Sequence, residues 1–136
     1  MKIAVDSSVL LDVLGADPAF GERSRTALRT AYDTGALVAC DVAWAEVRAH
    51  FRSDDEFSES LALVGIQFDA LSNKAASEAG RLWRQSRGRG AGVRDRVVAD
   101  FLIGAHALHQ ADALLSRDRG FYRRYFAKLR LIDPSR

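Results

Sequence analysis

The stretch Ile3-Ala4-Val5-Asp6-Ser7-Ser8 decides the reading of the chain. Three apolar residues so abruptly bounded read as a short interior strand; Asp6 ends it, and Ser7 or Ser8 offers an oxygen to cap a helix over residues 9–14. The same alternation continues outward. Asp17-Pro18 restarts a helix through Ala31, Gly35 is placed to stop it, and residues 36–40 read as a second strand. Asp41 can cap a helix over residues 42–52, residues 54–63 read as another, and Ile66-Gln67-Phe68 as a third strand. Ser72 caps a helix through Gln85, residues 86–93 read as a Gly/Arg loop, and residues 95–110 as a long helix apolar almost all round. A strand at 113–116, a short helix at 121–126 and a last strand at 129–132 complete the series. Strands alternating with helices imply a three-layer α/β/α sandwich around a central, mostly parallel sheet, whose site lies beyond the carboxyl ends of the strands.

The 136 residues are enough for one domain, and 48% hydrophobic with 28% charged residues excludes a mainly disordered chain. No apolar run approaches the roughly 20 residues of a membrane helix, and no secretory signal pattern opens the sequence, so a cytoplasmic protein is expected. Cys40 is the only cysteine, which excludes an internal disulfide framework and suggests a buried structural thiol.

Four acids stand out. Asp6 follows the first strand, and Asp118 follows Ala113-Leu114-Leu115-Ser116-Arg117, which puts both at the carboxyl edge of the sheet. Glu46 interrupts Val42-Ala43-Trp44-Ala45 and Val47, and Asp100 is the only acid in Val97-Val98-Ala99-Asp100-Phe101-Leu102-Ile103-Gly104-Ala105. A carboxylate among apolar neighbours is costly unless paired or bound to metal. On a helical wheel Asp100 falls beside Gly104 and Ala107, small residues that leave room for a cation. Four clustered carboxylates repel one another, and a hard dication with oxygen ligands, Mg²⁺ or Mn²⁺, relieves the repulsion. Taking these four from the 18 acids leaves 14 against 20 bases, a surplus of about +6 suited to an anionic polymer. Seventeen of the bases are arginine, whose planar fork suits phosphate, although a GC-rich coding sequence gives the same bias. Asp12, Asp17, Asp41, Asp54 and Asp133 read as surface or capping residues, and Asp95 as either a helix cap or a support for Asp100.

Four segments, Ile3-Ala4-Val5-Asp6-Ser7-Ser8-Val9-Leu10, Ala45-Glu46-Val47, residues 99–108 and Leu115-Ser116-Arg117-Asp118-Arg119-Gly120-Phe121-Tyr122, together resemble the PIN-domain family. More narrowly they resemble the VapC-type toxins of bacterial toxin-antitoxin pairs, over residue 3 to Ile132-Asp133-Pro134. The resemblance implies a single PIN-like nuclease domain over 1–136, acidic metal ligands at Asp6, Glu46, Asp100 and Asp118, a supporting hydroxyl at Ser8, and Mg²⁺ or Mn²⁺. It also implies an RNA substrate, a homodimer and inhibition by a cognate VapB-type antitoxin. Gly104, His106 and Ser116 depart from the residues common in relatives without touching the acids.

In such a site, coordination lowers the pKa of a bound water, from about 15.7 toward neutrality, and a hydroxide attacks the phosphate in line. Asp6 and Asp100 are the expected direct ligands, with Glu46 and Asp118 holding a second ion or orienting the water. Arg81, Arg84, Arg87, Arg89, Arg94, Arg96, Arg117, Arg119, Arg123 and Arg124 are candidates to hold the RNA backbone. Tyr122, Tyr125 and Trp83 either stack on bases or pack in the core. The alternative is a catalytically inactive PIN-like RNA-binding module. An aspartyl-phosphate phosphatase is disfavoured because Ser8 stands where it needs a second acid. Gly88-Arg89-Gly90-Ala91-Gly92 follows a helix and lacks the Lys-Ser/Thr of a phosphate loop, and His106 and His109 read as structural and surface residues.

Overall fold

The computed structural model describes residues 1–87 and 98–135. Its centre is β1 (Lys2–Val5), flanked by β2 (Ala36–Ala39) and β4 (Ala113–Leu115), with β3 (Ile66–Phe68) outside β2 and β5 (Leu131–Ile132) outside β4. Every pairing is parallel, with Ile3 opposite Leu37 on one side and Ala113 on the other. A parallel sheet is covered on both faces, so its inner strands must be apolar without alternation. Ile3-Ala4-Val5, Leu37-Val38-Ala39 and Ala113-Leu114-Leu115 meet that need and are all buried. Each fully buried Ile, Leu or Val contributes about 1.5–3 kcal/mol. The two outer strands are three and two residues long, which limits the exposed edge.

The seven helices of the described residues are α1 (Ser7–Leu14), α2 (Gly21–Thr34), α3 (Asp41–Arg48), α4 (Asp54–Val64), α5 (Asn73–Arg87), α6 (Val98–Gln110) and α7 (Arg119–Tyr125). They complete the expected α/β/α sandwich: α2 and α3 lie on β2, α6 lies on β1 and β4, and α5 packs along α6. No helix of the described residues is long and apolar enough to cross a membrane. Gly35 is required by close approach. The Ala36 N–H bonds the Met1 carbonyl at 2.9 Å, and a Cβ on Gly35 would lie 1.9 Å from that oxygen.

Several boundaries differ from those the sequence suggests, each for a local reason. The α2 helix starts at Gly21 because Asp17 Oδ1 accepts the N–H groups of Ala19 and Phe20, both at 2.8 Å, and holds residues 18–20 in a turn. The α3 helix ends at Arg48, and Ser53 opens α4 by accepting the Glu56 N–H. The α5 helix runs past Gln85 to Arg87, with the Ser86 hydroxyl donating back to the Trp83 carbonyl. The start of the expected 95–110 helix, most of the Gly/Arg loop, and Asp95, Arg89, Arg94 and Arg96 lie outside the described residues.

Candidate metal centre

The chain travels outward from β1 to β3, then returns to lay β4 on the other side of β1. That reversal opens a crevice at the carboxyl ends of β1 and β4, and the residues that follow those strands face it. Asp6 follows β1, and Ser116, Arg117 and Asp118 follow β4. The Asp6 N–H bonds the Leu115 carbonyl at 3.0 Å, so the two strand ends are tied at the level of the acid.

Asp6 is 5% exposed. Its Oδ2 accepts from the Ser116 hydroxyl at 2.7 Å, the Ser8 hydroxyl at 3.3 Å and the Tyr122 hydroxyl at 3.5 Å. Its Oδ1 lies 3.4 Å from the Ser7 hydroxyl, which is 2.9 Å from Glu46 Oε1. One hydroxyl carries one proton, and the shorter distance assigns it to Glu46. Ser116 Oγ in turn accepts the Asp118 N–H at 3.0 Å, linking Asp6 to the first residue of the α7 turn. Asp6 occupies the capping position of α1, and its side chain meets the helix through the Ser8 hydroxyl.

Burial pushes the Asp6 carboxyl above its ordinary range; the bonds from Ser116 and Ser8 oppose the shift, and repulsion from Asp118 adds to it. Tyr122 is fully buried, and its phenol is pushed well above its usual value first by burial, then by Asp6, Asp100 and Asp118. Three of the four acids therefore act on one tyrosine hydroxyl, while Glu46 joins them through Ser7. The acids share a neighbourhood without forming a closed ligand shell: no group of three His, Cys, Asp or Glu among the described residues is close enough to hold a metal as it stands. The donor set nonetheless fits a hard dication, being carboxylate and hydroxyl oxygens around a buried Asp6 whose charge is unfavourable without a counterion.

Some expectations need correction. Glu46 is exposed, so its apolar sequence neighbours do not bury it; Ala43 and Val47 face the core, while Ala45 and Glu46 lie on the exposed face of α3. The space beside Gly104 is filled: a Cβ there would lie 2.4 Å from the Phe126 ring, so this glycine serves packing of α6 against the residue after α7. Asp12 is neither a surface nor a capping residue. It is 4% exposed and takes a two-pronged contact from Arg117, Nε to Oδ2 at 2.6 Å and Nη2 to Oδ1 at 2.9 Å, with the Ser24 hydroxyl at 2.9 Å. Arg117 also lies over the Phe20 ring at 4.1 Å, so its guanidinium is engaged by a carboxylate and an aromatic face of its own chain. Its neighbours in sequence hid this role, because the partner is 105 residues away.

The histidines behave as expected. His106 is buried with Nε2 2.7 Å from Asp69 Oδ2, a carboxylate that also meets Lys2 Nζ at 3.1 Å; His109 is exposed and paired with Glu78. Burial lowers the His106 pKa despite Asp69, so at neutral pH Nε2–H of a neutral ring donates to that carboxylate. Cys40 is a buried free thiol, pushed up by burial. Of the two readings offered for Tyr122, full burial bears out core packing and excludes base stacking; its hydroxyl contact with Asp6 had no signal in the sequence.

The PIN domain family model matches residues 3–127, and the chain belongs to that family. No curated protein sequence matches it. Among solved structures it is similar to VapBC2 from Rickettsia felis bound to a DNA fragment from their promoter, at 15% identity, 98% coverage of each chain and a TM-score of 0.74. It is likewise similar to VapBC-1 from nontypeable Haemophilus influenzae, at 14% identity, 100% coverage of each chain and a TM-score of 0.71. DNA-bound VapBC from Salmonella typhimurium matches at 14% identity, 98% coverage of each chain and a TM-score of 0.69. At these identities the likeness is one of fold.

Proposed function

We propose that the chain is a Mg²⁺- or Mn²⁺-dependent endoribonuclease, a single-domain VapC-type toxin restrained by a VapB-type antitoxin. The observation that carries this reading is Asp6, buried at the β1–β4 crevice, bonded to Ser116 and Ser8 and sharing its surroundings with Asp118, Asp100 and, through Ser7, Glu46. The toxin assignment is supported by fold similarity to proteins described as VapBC. A homodimer and a cytoplasmic location belong to the same proposal.

Asp6 and Asp100 would hold the cation, with Glu46 and Asp118 binding a second ion or orienting the attacking water, and Ser8 fixing Asp6. A bound dication supplies a more acidic water and offsets charge on the scissile phosphate. The exposed Arg81, Arg84, Arg123 and Arg124 remain available to RNA. Cleavage would leave a 5′-phosphate and a 3′-hydroxyl. The test is cleavage of RNA with Mn²⁺ by the unsubstituted protein, Asp6→Asn and Asp100→Asn, with the fragment ends sequenced. The proposal expects cutting by the first alone; equal RNA binding with no cutting by any of the three identifies the inactive RNA-binding module instead.

A further inference from the structure

We infer that Tyr122 is a positioning residue of the metal centre: with Ser116 and Ser8 it holds Asp6 Oδ2 in a three-hydroxyl cradle and leaves Oδ1 to meet the cation. The inference rests on the metal-dependent reading above and deepens it. The three hydroxyls come from separate places in the fold, Ser8 from α1, Ser116 from the end of β4 and Tyr122 from α7. All three converge on one oxygen, at 3.3, 2.7 and 3.5 Å. Among the described residues the hydroxyl within hydrogen-bond distance of the other oxygen is that of Ser7, and the Ser7 proton goes to Glu46. A carboxylate held in this way has one oxygen engaged by three hydroxyls and one that keeps no hydroxyl proton, so the second is the atom through which it would bind an ion in a fixed direction.

Tyr122 is suited to the part because its ring cannot swing away. It is completely buried, and its ring sits 5.0 Å from Phe121 and 6.1 Å from Phe126 in an aromatic cluster extended by Phe101. A hydroxyl fixed by packing orients its partner at little cost in side-chain entropy. A phenol ordinarily loses its proton only near about pH 10, so at neutral pH the hydroxyl acts as a donor toward an ionised Asp6. It takes no part in bond making.

The test is Mn²⁺ binding without RNA, measured by calorimetry and by the loss of the free-ion electron paramagnetic resonance signal. Tyr122→Phe keeps the ring and removes only the hydroxyl. The expected result is a Kd weaker by about tenfold, with a larger loss in Ser116→Ala, whose bond is shorter. The thermal midpoint of metal-free Tyr122→Phe should stay close to that of the unsubstituted protein, a pattern that a purely structural tyrosine would not give. Unchanged affinity in Tyr122→Phe, within twofold, overturns the positioning role while leaving the metal centre intact. Failure of the unsubstituted protein to bind Mn²⁺ overturns the metal centre, and this role with it.

Discussion

Replacing Arg117 by methionine tests whether the site is supported from below by a buried ion pair. Arg117 gives Asp12 two charge-assisted hydrogen bonds, at 2.6 and 2.9 Å, and after Arg117→Met the Asp12 carboxylate keeps only the Ser24 hydroxyl. Removing one member of a buried pair costs about 3–5 kcal/mol, because the remaining charge is left uncompensated. The Arg117 side chain is 28% exposed and Asp12 5%, so water reaches one end of the pair and the lower end, about 3 kcal/mol, applies. For a chain of this size that corresponds to a fall of about 10–15 °C in the thermal midpoint. Circular dichroism melts near pH 7.5, without metal, give the measurement. Asp12→Asn combined with Arg117→Met should recover more than half of the loss, since a neutral amide keeps the Ser24 bond and no buried charge remains. A loss below about 1 kcal/mol in the single variant, or no recovery in the double, would mean that Asp12 is solvated and the account is wrong.

Two further outcomes follow from the titrating groups. Since burial raises the folded-state pKa of Asp6, its ionised form opposes folding at neutral pH; metal-free Asp6→Asn should melt a few degrees higher than the unsubstituted protein, and Mn²⁺ should raise the midpoint of the latter only, as differential scanning fluorimetry would read. The folded-state pKa of His106 is lowered, so as pH falls below its ordinary 6.5 the unfolded chain takes the proton first and stability is lost; midpoints between pH 7.5 and 5.5 should fall in the unsubstituted protein and fall less in His106→Gln.

The central strands were legible because burial on both faces demands unbroken apolar runs, and Ile3-Ala4-Val5 and Ala113-Leu114-Leu115 satisfy that demand with little ambiguity. Strand order was not written in any one segment: alternation put Asp6 and Asp118 at the carboxyl edge of a parallel sheet, and only the structure makes β1 and β4 neighbours. Helix ends were less legible, since the Asp17 side chain spends its acceptors on a turn that delays α2. The acids were found through chemical incongruity, a reasoning that matches the burial of Asp6 and not that of Glu46, which is exposed beside an exposed Ala45. Asp12 and Tyr122 escaped notice because their partners lie 105 and 116 residues distant, and nothing in a local window announces such a meeting.

The placement of β1 between β2 and β4 has a consequence for when the pocket can exist. Asp6 follows β1 directly, while Ser116 and Tyr122, which meet its carboxylate, are translated more than a hundred residues later. A nascent fragment that stops short of Ser116 lacks two of the three hydroxyls that meet this carboxylate, so the centre stays incomplete until translation has passed Tyr122.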